Sequence, residues 1–205
     1  MSGLLAVLTA TFAALLPITN PLGAVATFAA LTAGQEPGRV RRQAWRTAVD
    51  VAAVLVVFAL LGTLLLNALG VSLASLQIAG AIVVGHAGFR MLVPSEQMNS
   101  PEQQHARSKP DISFSPMALP LIAGPGAIGV VIALAARHPG AEARAGIVLG
   151  ILVISVLIGV TLRWGTPLVD RMGPTGTGAM TRVMGFLILV IGVELGVHGI
   201  QALKL

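Results

Sequence analysis

Apolar residues run in six blocks, at about 4–32, 48–68, 71–92, 115–136, 145–164 and 182–203, with polar stretches between them. Each block approaches or exceeds the roughly 20 residues that a helix needs to cross a bilayer. Residues 51–89 contain no Asp, Glu, Lys or Arg over 39 positions. As one helix they would run about 58 Å, nearly twice a hydrocarbon core of ~30 Å. The chain must therefore turn near Asn67-Ala68-Leu69-Gly70-Val71-Ser72 and cross twice. Residues 94–114 are rich in Ser, Gln, Glu, Lys and Pro, a composition that buries no core and reads as a linker. The pattern predicts an all-α membrane protein with six transmembrane helices. A first three-helix repeat spans 1–93, a cytoplasmic linker 94–114 and a second three-helix repeat 115–205.

Two of the blocks carry the same interruption. Leu16-Pro17-Ile18-Thr19-Asn20-Pro21-Leu22-Gly23 sits inside the first, and Pro120-Leu121-Ile122-Ala123-Gly124-Pro125-Gly126-Ala127-Ile128 inside the fourth. Aligned on Pro21 and Pro125, they lie 104 residues apart in a chain of 205. Leu69-Gly70 and Met172-Gly173 repeat at an offset of 103, and Ile78-Ala79-Gly80 and Val183-Met184-Gly185 at 105. Three matched landmarks at offsets of 103 to 105 indicate duplication. An odd number of spans per repeat makes the second copy insert upside down, giving two inverted three-helix repeats with helices one and four broken.

At each break a helix restarts inside the membrane. Asn20 is a strong N-cap and Pro21 suits the first helical position, which leaves the backbone N–H groups of residues 22–24 without helical partners. Gly124, Pro125 and Gly126 take the corresponding places, and Gly23 and Gly126 permit close approach. Two half-helix starts, each with about half a positive charge, would face one centre and favour an anion or carboxylate. The predicted substrate-binding set is Thr19, Asn20, Pro21, Gly23, Gly124, Pro125 and Gly126. Proline kinks that serve helix packing alone are the bland explanation; repetition at symmetric positions favours a site.

Other polar residues of the spans are fewer. Glu194 lies about 12 residues, or ~18 Å, beyond Arg182, where a carboxylate is costly unless hydrated, paired or protonated. It reads as a proton-coupling or cavity-lining group, or as an acid near the outer interface, with His198 one turn on. Gln77 and Thr27 are further cavity-lining candidates, or helix–helix hydrogen bonders. Asp50 could serve the same ends, although a first-turn acid four residues after Arg46 also suits capping and ion pairing.

Composition narrows the class. Hydrophobic residues make up 55% and charged ones 10%, and the mean hydropathy is +0.88, which excludes an ordinary soluble domain. The net charge of +5 needs no nucleic-acid partner, because loop Arg and Lys orient membrane proteins. With six crossings and the N-terminus outside, ten Lys and Arg fall inside against three outside (Arg137, Arg144 and Lys204). Re-entrant hairpins at segments one and four would give the same split with the N-terminus inside. Zero cysteines exclude disulfides and thiolate sites, and His86, His105, His138 and His198 have no metal-ligand spacing. No nucleophile–base pair or carboxylate dyad stands out, and Ser75 and Ser155 read as packing residues. The expectation is a protein without enzymatic activity or cofactor, whose partners are the lipid bilayer and an unidentified small solute. Homo-oligomerisation is left open.

Asn20-Pro21-Leu22-Gly23, with Phe28-Ala29-Ala30-Leu31-Thr32 after it, resembles the signature of the MarC family of bacterial inner-membrane proteins. So does Ala118-Leu119-Pro120-Leu121-Ile122-Ala123-Gly124-Pro125-Gly126-Ala127-Ile128, and Gln77-Ile78-Ala79-Gly80 and Thr181-Arg182-Val183-Met184-Gly185 echo it. The resemblance covers nearly the whole chain. It implies a six-span, multi-pass protein of the bacterial inner membrane, in the wider LysE-type exporter superfamily. A small-solute exporter is then the expected function. Asn20-Pro21-Leu22 also looks superficially like the Asn-Pro-Ala half-helix motif of aquaporins, which keeps a passive channel as the alternative. A membrane enzyme or assembly factor is a third class.

Overall fold

The structure, a computed structural model, describes residues 2–93, 109 and 111–203. The linker expected over 94–114 falls mostly outside the described residues, as do His105, Arg107 and Lys204. Helix α1 (Ser2–Thr19) and helix α2 (Pro21–Thr32) meet at Asn20. Helices α3 (Pro37–Ala68) and α4 (Leu73–Leu92) follow. A wide-turn segment, Ser113–Ile122, leads into α5 (Pro125–Arg137), then α6 (Ala141–Trp164) and α7 (Thr166–Leu203). Every regular element of the described residues is a helix, and none of them is a strand. Helices α3, α4, α6 and the Thr175–Leu203 part of α7 are long and apolar enough to cross a membrane. The α1–α2 pair, bent by 43°, and the wide-turn–α5 pair, bent by 65°, bring the candidate spans from four to as many as six.

Two helices begin well before their apolar blocks. Helix α3 starts at Pro37 rather than near 48 because proline fits the first helical position. Its next turns bury Gln43, Ala44, Thr47, Ala48 and Val51 at helical spacing. The arginines that read as loop (39, 41, 42 and 46) occupy the exposed side of those turns. Helix α7 takes in the polar stretch between the fifth and sixth apolar blocks but breaks at Gly173, whose φ of 62° and ψ of −177° suit glycine alone.

Helix α6 forms the centre. Half of its apolar window is buried, against 28% for α3. Ile147, Ile151, Ile154 and Ile158 are all inaccessible or nearly so. Gly146 and Gly150 let α1 approach in parallel, the first against Val7 and the second against Thr11. On another side α3 runs antiparallel to α6, with Trp45 against Gly159. Trp45 and Trp164 meet edge to face at 6.4 Å, and Arg163 lies 5.4 Å above the Trp164 ring, a pairing typical of a membrane–water boundary.

The longest contact joins α4 to α7, antiparallel, through small residues. A Cβ added to Gly88 would stand 2.6 Å from the Leu189 nitrogen and 2.7 Å from the Gly185 carbonyl oxygen. One added to Gly192 would stand 2.8 Å from the Gly85 nitrogen and 3.2 Å from the Ala81 oxygen. Lipid supplies no hydrophobic drive between helices, so close backbone approach with dispersion contact holds this pair together.

Candidate functional site

The first break is closed by its own cap. Asn20 adopts a left-handed conformation, φ 40° and ψ 65°, which Asn tolerates better than most residues. Its side-chain Oδ1 accepts from the Gly23 N–H at 3.2 Å, and its carbonyl accepts from the Ala24 N–H at 3.0 Å. Two of the N–H groups expected to be open at 22–24 are thus satisfied within the chain. Pro21 is buried at the first helical position. Thr19, 2% exposed, donates its hydroxyl to the Leu15 carbonyl at 2.9 Å, and Thr27 donates to the Gly23 carbonyl at 3.4 Å. Both hydroxyls turn onto their own helices, the economical arrangement where water is absent.

The second break is built differently. Ser115 and Leu119, each followed by proline, are extended (φ −129° and −122°), as the clash between a proline ring and its predecessor dictates. The chain around each closes a wide turn with a bond five residues back, Met117 N–H to Ile112 O at 3.1 Å and Ala123 N–H to Ala118 O at 2.8 Å. No α-helix precedes this break, whereas α1 runs unbroken through Pro17 to Thr19. Gly124 caps α5 with no side chain. A Cβ there would stand 2.5 Å from the Pro120 carbonyl oxygen, so the cap position has no room for one. Pro125 is exposed, while Gly126 and Ala127 are buried. Among the described residues no acceptor outside α5 meets their N–H groups.

The two breaks adjoin but face different neighbours. Gly126 faces Val84 of α4 and Ile18 of α1, and an added Cβ would lie 2.6 and 3.8 Å from their methyl carbons. Asn20 and Gly23 instead line a cavity of about 30 Å³ with Met172, Thr177, Met180 and Thr181 of α7, large enough for one water. Gln77 is buried on α4 at 3% exposure. Glu194 is on the outward side of α7, its side chain 66% exposed and its Oε1 3.4 Å from His198 Nε2.

Asp50 sits in the fourth turn of α3 rather than the first, since the helix starts at Pro37. The pairing expected between Asp50 and Arg46 goes elsewhere: Arg46 binds the Asp111 carboxylate at 2.7 Å. That contact belongs to a polar latch which the apolar pattern gave no reason to expect. The Gln43 amide donates to Gln35 Oε1 at 2.6 Å, and its oxygen accepts from the Ile112 N–H at 3.0 Å. The Thr47 hydroxyl donates to the Ser113 carbonyl at 3.3 Å. Gln43, Thr47 and Ser113 are all buried. Burial works to raise the Asp111 carboxyl, but bonds from the Ser113 hydroxyl and N–H and from Arg46 outweigh it and hold the group below the usual carboxylate range. Residues 111–114, assigned to the linker by composition, are therefore fastened to α3. The readable signal was Gln43 and Thr47 on the same helical stripe as Ala44, Ala48 and Val51.

The profile of the MarC family integral membrane proteins matches residues 5–203. The chain is 34% identical to the inner membrane protein MarC of Citrobacter koseri over 201 residues, 91% of this chain and 90% of that one. It is 33% identical to the proteins of the same name from Salmonella typhimurium and Escherichia coli O1:K1, with the same coverage. No solved structure matches it. Several apolar spanning helices and inner-membrane relatives make it a multi-pass protein of the inner membrane. From Asn20-Pro21 to Gly124-Pro125 and on through the last span, the chain belongs to the MarC family of integral membrane proteins.

Proposed function

We propose that this protein is a secondary transporter of a small anionic or zwitterionic solute, as membership of a LysE-type exporter superfamily would imply, and neither an enzyme nor a passive pore. The observation that carries the reading is the second break. Buried N–H groups at the start of α5 lack an acceptor, at a helix terminus whose dipole favours negative charge. Asn20 and Gly23 line a small polar pocket at the adjoining break, and Gln77 is a buried amide on α4.

The proposed frame is two inverted repeats of three spans, with segments one and four crossing fully. Bends of 43° and 65° keep each broken pair advancing along its first direction, whereas a re-entrant hairpin must reverse. Shifting residue numbers by 104 also exchanges contacts across the α4–α7 seam. Gly88 against Gly185 becomes Gly192 against Ala81, and Gly88 against Leu189 becomes Gly192 against Gly85. An inverted repeat puts the two breaks near mid-depth, where alternating access needs them.

The deciding experiment is flux in proteoliposomes, with the solute chosen by thermal-shift screening of metabolites against purified protein. A transporter accumulates solute against its gradient when a proton or second solute gradient drives it; a channel never does, and an enzyme moves none. Gly126→Val should abolish accumulation in protein that still purifies folded, because the added side chain must displace Val84 and cover the open N–H groups. Undiminished transport by this variant would leave the second break a packing device and overturn the reading.

A further inference from the structure

Within the spans, polar side chains are mostly turned inward or onto their own backbone, as the hydroxyls of Thr11, Thr19 and Thr32 show by donating to the carbonyl four residues back. Helix α7 departs from this. Its inner face, Gly185, Ile188, Gly192, Leu195 and Gly199, is buried. The opposite face repeats the same spacing of three and four: Val183, Leu187, Val190, Glu194, Val197 and Gln201, all exposed. The outward faces of α3 and α6 are apolar, with Val57, Leu60, Leu61 and Leu64 on α3 and Leu149, Leu152, Val153 and Val156 on α6. Those faces suit lipid. The α7 face holds a carboxylate about 13 Å short of the helix end, where a charge is costly and acids nearly always face protein.

We propose that this face docks a second copy of the chain, α7 against α7 in parallel about a two-fold axis normal to the membrane. Two features select a copy over lipid. The three-four spacing holds over 183–201, the seam of a two-stranded coiled coil, with valine at one core position and Leu187, Glu194 and Gln201 at the other. Polar residues at such a core position fix register and oligomeric state. A two-fold partner also presents its seam at the same depth. Glu194 and His198, already 3.4 Å apart within one chain, then face an identical acid–imidazole pair, a self-complementary arrangement that hydrocarbon cannot offer. This inference stands apart from the transport reading, since the seam lies on the far side of α7 from α4.

The chain has no cysteine, so single introduced thiols report cleanly. In native membranes under mild oxidation, Val190→Cys and Val197→Cys should cross-link into dimers far more than Val193→Cys and Ile200→Cys. The latter two are as exposed, at 59% and 54%, but lie about a quarter turn round the helix. Equal cross-linking at all four positions, or none at 190 and 197, would mean that lipid covers the seam and would overturn the proposal. Photobleaching of the labelled native sequence in vesicles, which needs no seam variant, should show two steps per particle. One step at all protein densities would overturn it too.

Discussion

The two breaks look alike in sequence and differ in how their helix starts are satisfied. At the first, Asn20 folds its side chain over the start of α2 and bonds Gly23. At the second, the Pro120 carbonyl occupies the space in which a capping side chain would begin, so α5 starts open. The difference arises upstream. Pro17 is accommodated within a regular α1, whereas Pro116 and Pro120 each force an extended predecessor and wind the approach into wide turns. Similar phrases thus build one self-sufficient terminus and one that needs something else. The approaches differ as well, since the latch of Gln43, Thr47 and Arg46 holds only the second.

Removing that latch should have the largest effect. Gln43→Leu leaves the buried Ile112 N–H without its acceptor, worth about 1–3 kcal/mol, and takes the donor from the Gln35 side-chain oxygen. The unfolding midpoint of the purified protein should fall accordingly, and a variant as stable as the parent would mean that the second approach stands without α3. Next, Gly124→Ala drives a methyl group into the Pro120 carbonyl and should cost about 1–3 kcal/mol by overpacking. Finding it neutral would remove the steric reason for the missing cap. Asn20→Ala should cost about 1 kcal/mol, and Asn20→Gly only a few tenths because glycine accepts the left-handed turn. If neither substitution has a measurable cost, the cap bond contributes little and the breaks are closer than their geometry suggests.

The smallest effect concerns acid. Because the folded Asp111 carboxyl is held below its ordinary value of about 3.9, its contribution is complete above that pH and fades as pH falls through the lower, folded value. Stability should show an acid limb that Asp111→Asn removes, with parent and variant running parallel toward neutrality. Parallel curves throughout the acid range would leave the Arg46 pair with no stabilising part.

The breaks themselves were legible because Asn-Pro and Gly-Pro inside an apolar run have few other uses. The six blocks followed from hydropathy and length. The first turns of α3 were obscured because Arg39, Arg41, Arg42 and Arg46 outweigh a sparse buried stripe in any hydropathy window. The wide turns were readable in principle from Ser115-Pro116 and Leu119-Pro120, yet an apolar count treats both prolines as part of one span. Which way Glu194 points depends on where α4 packs against α7, and a single helix pattern contains no such direction.

The glycine seam between α4 and α7 has a consequence for biogenesis. Helix α4 ends at Leu92 and its partner ends at Leu203, so the ribosome makes one long before the other. At about 5–20 residues per second the second half takes roughly 5–20 s to emerge, and until then the Gly80, Gly85 and Gly88 face of α4 can meet only lipid. The first 93 residues are thus not a unit of assembly by themselves. A chain truncated before its final span leaves α4 an orphan in the bilayer, an expected client for membrane quality control.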